Sequence, residues 1–152
     1  MRYRVVAVGA MKRGPLAEAA QRYAKLLSGP TSLELVELKD RTGSGAAAAR
    51  AAHDDEAQRH AAGHLILVDE AGEHLTTAQL AERVSALERG GVSRITLFVG
   101  GPDGHGRALR AAVGGSLALS RLTLPHDLAR VVLLEQLYRV ETLRAGHPYH
   151  RG

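Results

Sequence analysis

Arg94-Ile95-Thr96-Leu97-Phe98-Val99-Gly100-Gly101-Pro102-Asp103-Gly104-His105-Gly106 is the stretch whose reading decides the fold. Its first six residues are apolar at four positions. Such a run fits a β-strand covered on both faces rather than one with a wet side. It then enters a loop in which four of seven residues are glycine. Glycine permits positive φ and lets backbone approach a neighbour or ligand closely. In open α/β sheets ligands sit beyond the carboxyl ends of strands, so this loop is a candidate site. An ordinary β-to-α turn is the competing reading of the same residues.

Working outward, His64–Val68 is a second short apolar run, and it too ends at an unusual loop, Asp69-Glu70-Ala71-Gly72. Arg2–Val8, Leu33–Leu38 and Ser116–Leu119 read as further extended segments. Helices are expected at Leu16–Leu27, Ala46–Ala62, Thr76–Arg89, 107–113 and Asp127–Arg144, where apolar residues recur at three- and four-residue steps. Ala46–Ala62 is helix-favouring but poorly amphipathic, so its core contact is not evident from periodicity. Asp127 fits an N-cap for the last helix. About five strands alternate with about five helices. This predicts one three-layer α/β/α domain over residues 1–152 with a mainly parallel sheet.

Composition narrows the function. The 152 residues are 45% hydrophobic and 24% charged, ordinary globular usage. Cysteine is absent, which removes disulfides, thiol nucleophiles and Cys-ligated metal. No apolar run approaches the ~20 residues that span a bilayer. The basic start at Met1–Arg4 precedes a run too short for a secretory signal, so a cytoplasmic protein without membrane contact is expected. Aromatic residues make up 3% of the chain, which argues against a row of base-stacking platforms. Residues 1–104 are charge-balanced, whereas residues 105–152 hold seven Arg against three acids, so the net charge of +4 sits in the last third. Arginine forks suit phosphate, and a polyanionic partner fits that asymmetry, as does simple Arg usage at the surface.

The remaining motifs are more ambiguous. The glycine loop is neither Gly-x-Gly-x-x-Gly nor a P-loop, since Arg107-Ala108 follows where Lys-Ser/Thr is needed. Leu119-Ser120-Arg121-Leu122-Thr123-Leu124-Pro125-His126 alternates apolar and polar residues, and Pro125 holds Leu124 extended. It suits an edge strand, or a bent segment offering backbone groups to a base edge. His60 with His64, and His147 with His150, lack a third ligand, so no metal is expected. No Gly-x-Ser-x-Gly elbow supports a serine hydrolase.

Taken together, Val6–Gly9, Gly100-Gly101-Pro102-Asp103-Gly104, Leu119-Ser120, Leu122–His126, Arg130-Val131, Glu135–Arg139 and the closing His147-Pro148-Tyr149-His150-Arg151 resemble the bacterial rRNA large-subunit methyltransferase H family, over the whole chain. The resemblance implies a SPOUT-class fold with a C-terminal trefoil knot and a homodimer. It implies S-adenosylmethionine-dependent methylation of N3 of a pseudouridine in 23S rRNA on assembled ribosomes. Carried over by position, Val68, Gly100, Gly101 and Leu119, Ser120, Arg121, Leu122, Thr123 and Leu124 would hold the cofactor. His126, Tyr149, His150 and Arg139 are the candidates for catalysis, and Arg130, Arg144 and Arg151 for RNA. Asp103 stands where the family pattern suggests Glu, and Lys39–Ala52 is less basic than expected. A non-catalytic RNA-binding module, a tRNA-directed SPOUT enzyme and a flavodoxin-like enzyme are the alternatives. Gly101→Val is expected to fill the cofactor pocket.

Overall fold

A computed structural model describes residues 1–149; His150 and Arg151 lie outside the described residues. Five strands, β1 (Arg2–Val8), β2 (Ser32–Leu38), β3 (His64–His74), β4 (Arg94–Val99) and β5 (Ser116–Ala118), form one sheet in the order β2-β1-β4-β3-β5. Every pairing is parallel. The helices are α1 (Pro15–Leu27), α2 (Ala46–His60), α3 (Thr77–Arg89), α4 (Arg107–Ala112) and α5 (His126–Arg144). The α/β expectation is met.

The period-two alternation of the strands sorts the core into two layers. Tyr3, Val5, Ala7, Ile66, Ile95, Leu97 and Val99 meet α1, α3 and α5 on one face. Val6, Val8, Leu38, Leu67 and Phe98 meet Ala57 of α2 and Leu109 of α4 on the other. The steps β1 to β2 and β3 to β4 run toward one edge with helices on the first face. The steps β2 to β3 and β4 to β5 run the opposite way with helices on the second face. All four crossovers therefore share one hand, as parallel βαβ units require.

Three departures from the expected elements bear on the site. β3 does not stop at Val68 but bulges and continues to His74, so Val68 and Glu73 both pair with Leu117. Gly72 makes this possible, because a Cβ there would lie 2.7 Å from the Leu117 carbonyl carbon. α2 does reach the core, through Ala49, His53 and Ala57 at four-residue steps, with Asp54 beside them. The last helix is preceded by Pro125 in extended geometry with no side-chain cap, which places Asp127 inside the first turn rather than at the N-cap.

α5 fixes where everything else sits. It starts at the carboxyl edge of the sheet, where the His126 and Arg130 side chains both reach the Val8 carbonyl. It ends at the opposite edge, where Tyr3 donates to Glu141 at 2.5 Å. Its 19 residues span roughly 28 Å at 1.5 Å per residue.

Candidate functional site

The carboxyl ends of β3, β4 and β5 open into one cleft of about 570 Å³. That volume lies within the ordinary range for small-molecule sites. Val68, Gly100, Gly101, Leu119, Ser120, Leu122, Thr123, Leu124 and His126 all line it. Three stretches that are distant in sequence are thus brought together by the sheet order. Arg121 faces away, into a smaller adjoining recess with Glu70 and His74. Asp69, Glu70, Asp103, His105 and Arg110 complete the lining. The loop position of Asp69 and Glu70 was legible in sequence, but the parts played by His105 and Arg110 were not.

The glycine-loop wall is braced from behind. His105 is buried, its ring tilted against Phe98 at 4.9 Å between centroids. Its Nε2 lies 3.0 Å from the Val68 carbonyl. Asp54, from α2, accepts the Gly106 N–H at 2.7 Å. Arg110 donates to the His105 carbonyl at 3.2 Å and pairs with Asp69 at 2.7 Å.

These contacts correct the reading of the glycines. A Cβ on Gly100 would meet His105 Cε1 at 2.7 Å, and one on Gly101 would meet Val8 Cγ1 at 3.3 Å and His53 Nδ1 at 3.6 Å. Both missing side chains make room for the protein's own groups. Gly101→Val would therefore push against β1 and α2 rather than fill the cleft.

The opposite wall, Leu119–Leu124, is almost unbraced. Among the described residues Arg121, Thr123 and Leu124 make no backbone hydrogen bond, and the Leu122 N–H reaches only Ser120 Oγ at 2.9 Å. Leu122 is 77% exposed. Free backbone donors and acceptors beside apolar side chains can pair with the edge of a planar heterocycle and cover its faces. Glu70 and Asp103 line the cleft without a cationic partner among the described residues, and they suit a positively charged ligand group.

The candidates for catalysis separate into two places. His126 stands at the foot of the cleft, donating Nε2–H to the Val8 carbonyl at 2.8 Å. Burial first, and then the neighbouring Arg130 charge, hold its pKa below the usual histidine value. Arg139 and Tyr149 lie along α5, about 20 Å beyond His126 on helical rise. Arg139 donates to Glu135 at 2.5 Å and sits 5.0 Å over the Tyr149 ring, which packs edge-on to Tyr138. They do not reach this chain's own cleft, because α5 is one continuous helix between the two places.

The arginines assigned to RNA are engaged inside the fold. Arg130 is 4% exposed and donates to the Val8 and Gly9 carbonyls and to Glu37, so it has no free fork for phosphate. Arg144 bonds Ser85, Glu141 and Glu88. Glu88 also pairs with the amino terminus at 2.8 Å. Both correct the expectation drawn from the charge asymmetry. Among the described residues no cluster of His, Asp and Glu could hold a metal, and no helix is long and apolar enough to cross a membrane.

Comparison with known proteins adds to this geometry. Residues 1–150 match the sequence family described as "Predicted SPOUT methyltransferase". Proteins named ribosomal RNA large subunit methyltransferase H are similar over their full length. The one from Brucella anthropi is 42% identical over 160 residues, covering 100% of both chains. The one from Anaeromyxobacter sp. is 44% identical over 157 residues, covering 99% of this chain and 100% of its own. The one from Synechococcus sp. is 42% identical over 151 residues, covering 99% and 95%. A solved probable methylase family protein from Haemophilus influenzae aligns with TM-score 0.56 over 99% of this chain and 70% of that one, at 13% identity, a likeness of fold alone.

Proposed function

The chain belongs to the SPOUT methyltransferase family, and on that premise we propose that it transfers the methyl group of S-adenosylmethionine to N3 of a pseudouridine in 23S rRNA, on assembled ribosomes in the cytoplasm. The relatives' shared name supports the rRNA substrate. The observation that carries the reading is the cleft itself, in which the glycine loop, the end of β3 and Leu119–Leu124 converge. We take the crossing of Leu119–Leu124 from edge strand β5 back to α5 over β1 as the chain path of the trefoil knot.

The donor set fits the cofactor. Leu119, Leu122 and Leu124 supply apolar faces for an adenine ring, and the unpaired backbone beside them supplies edge contacts. Glu70 and Asp103 suit the ligand's positive groups. S-adenosylmethionine brings an already activated methyl group, so placement of the acceptor nitrogen in line is the main demand on the protein. N3 of the base is an imide N–H, and its lone pair is free only after proton loss. His126 is kept neutral by burial, and with Nε2–H engaged its Nδ1 carries the lone pair that can accept this proton. Arg139 and Tyr149, remote from the cleft of their own chain, take part through a homodimer, in which a second copy offers its own pair. His150 and Arg151 belong to the same tail by sequence.

The test is radiolabelled methyl transfer to ribosomes from a strain lacking this protein, with the labelled nucleotide mapped. Label at one pseudouridine of the large-subunit rRNA is expected. Label in tRNA alone, or none anywhere, overturns the proposal.

A further inference from the structure

Behind the glycine loop two buried polar atoms face each other without hydrogen-bond partners: Asp54 Oδ1 and His105 Nδ1, 3.9 Å apart. Asp54 is 8% exposed and His105 6%. A buried polar atom without a partner is costly, and a facing pair asks for an explanation. A bridging water is too large for the gap, since two hydrogen bonds in line would separate the atoms by about 5.5 Å.

The tautomer argument is restrictive. With one ring proton on Nε2, His105 donates to the Val68 carbonyl, and its bare Nδ1 lone pair confronts a carboxylate oxygen. With the proton on Nδ1 instead, the Nε2 lone pair confronts the Val68 carbonyl oxygen at 3.0 Å. Either neutral form sets acceptor against acceptor. The imidazolium alone satisfies both sides.

We propose that His105 carries both ring protons in the working protein and is a positioning residue, tying the Val68 end of β3 to Asp54 and through it to the Gly106 N–H. The inference rests on the cofactor reading of the cleft. The link runs Val68 carbonyl, imidazolium, Asp54 carboxylate, Gly106 N–H. It joins two of the three segments that frame the cleft and anchors them on α2. The other charges packed around it cancel. Arg110 of α4, which bonds the His105 carbonyl, is paired with Asp69 of β3. His53 of α2 is engaged with the Lys39 carbonyl on the far side of Gly101. Asp103, in the same loop, lines the cleft. Asp54 is thus the carboxylate that faces the ring. Gly100 and Gly106 belong to the same device, since a Cβ at either would strike His105 or Asp54 within 2.7 Å.

The experiment has two arms on the full chain. In the first, histidine ring nitrogens of 15N-labelled protein are followed by NMR from pH 5.5 to 8.5, with His105 assigned through His105→Gln. Two protonated ring nitrogens at pH 7 are expected; one bare nitrogen overturns the inference. In the second arm, the Kd for S-adenosylmethionine is measured by calorimetry across the same pH range. The wild type should weaken by about tenfold as the imidazolium loses its proton. Asp54→Asn keeps an acceptor for Gly106 and offers an N–H to a neutral His105. It should bind within about threefold of wild type and lose the pH dependence. Asp54→Leu should bind at least about tenfold more weakly at every pH, with thermal melting confirming that it folds. Equal affinity and pH profile in all three proteins overturns the positioning role. A wild type that never binds S-adenosylmethionine overturns the proposed function instead, and the NMR arm still decides the protonation of His105.

Discussion

The two walls of the cleft are built on opposite principles. The glycine loop is held from behind by His105, Asp54 and Arg110, so its shape is set before any ligand arrives. Leu119–Leu124 has almost nothing behind it, carries free backbone groups and leaves Leu122 77% exposed. One wall is preorganised by the protein, and the other is left for a ligand to complete. Preorganisation lowers the ordering cost of binding, while the bare wall keeps hydrogen-bonding groups and apolar surface that become buried only in the complex. Substitutions in the first wall should therefore register in the free protein, and substitutions in the second only when ligand is present.

The largest effect is expected at Gly100. Gly100→Ala sets a methyl group 2.7 Å from His105 Cε1, and the ring cannot retreat because Phe98 lies behind it. Overpacking of this kind costs about 1–3 kcal/mol. Urea unfolding should show that loss without ligand, and S-adenosylmethionine should bind at least about tenfold more weakly. Wild-type stability in this variant would break the contrast between the walls.

Leu122→Ala tests the other side. The side chain stands largely in water, so the free protein should change by less than about 0.5 kcal/mol. Cofactor affinity should fall about 5–30-fold, the effect of about 1–2 kcal/mol of apolar burial that arises only on binding. Calorimetry beside urea unfolding reads both quantities. A clear loss of stability with unchanged affinity would mean that Leu122 braces the fold and faces no ligand.

The same contrast explains what the sequence made legible. The bounds of β1 and β4 followed from short apolar runs, and the convergence of Val68, the glycine loop and Leu119–Leu124 followed from strand ends plus family resemblance. The continuation of β3 through Asp69–His74 did not, because its pairing with β5 is non-local and its residues are polar. The purpose of Gly100 and Gly101 was read toward the ligand, whereas their missing side chains accommodate His105, Val8 and His53. The repeat Ala49, His53, Ala57 was the signal that α2 faces the core, and a histidine in that stripe obscured it. Charge counting also could not tell a free arginine from an engaged one. Arg130 and Arg144 contribute to the net charge, yet each is tied to carboxylates, and Arg130 to carbonyls as well.

The smallest effect concerns the one anchor at the far end of the bare wall. His126 follows Pro125 directly and ties the end of Leu119–Leu124 to β1 through the Val8 carbonyl. Desolvation first, then Arg130, lower its pKa from the usual value of about 6.5. Above that value the ring is neutral in folded and unfolded chains alike, and its titration contributes nothing to the pH dependence. As pH falls below about 6.5, the unfolded chain takes up a proton that the folded one resists, so stability is lost down to the folded-state pKa. Half-buried His64, lowered by desolvation and by Arg83, acts in the same direction, so the difference between two proteins is the informative quantity. His126→Asn keeps a donor for the Val8 carbonyl but cannot titrate. Urea midpoints measured from pH 8 to pH 5 should therefore fall less for this variant than for wild type. Parallel curves would show that the bare wall is tethered by Arg130 and the helix start alone, with His126 free to serve as a base without any role in holding the fold.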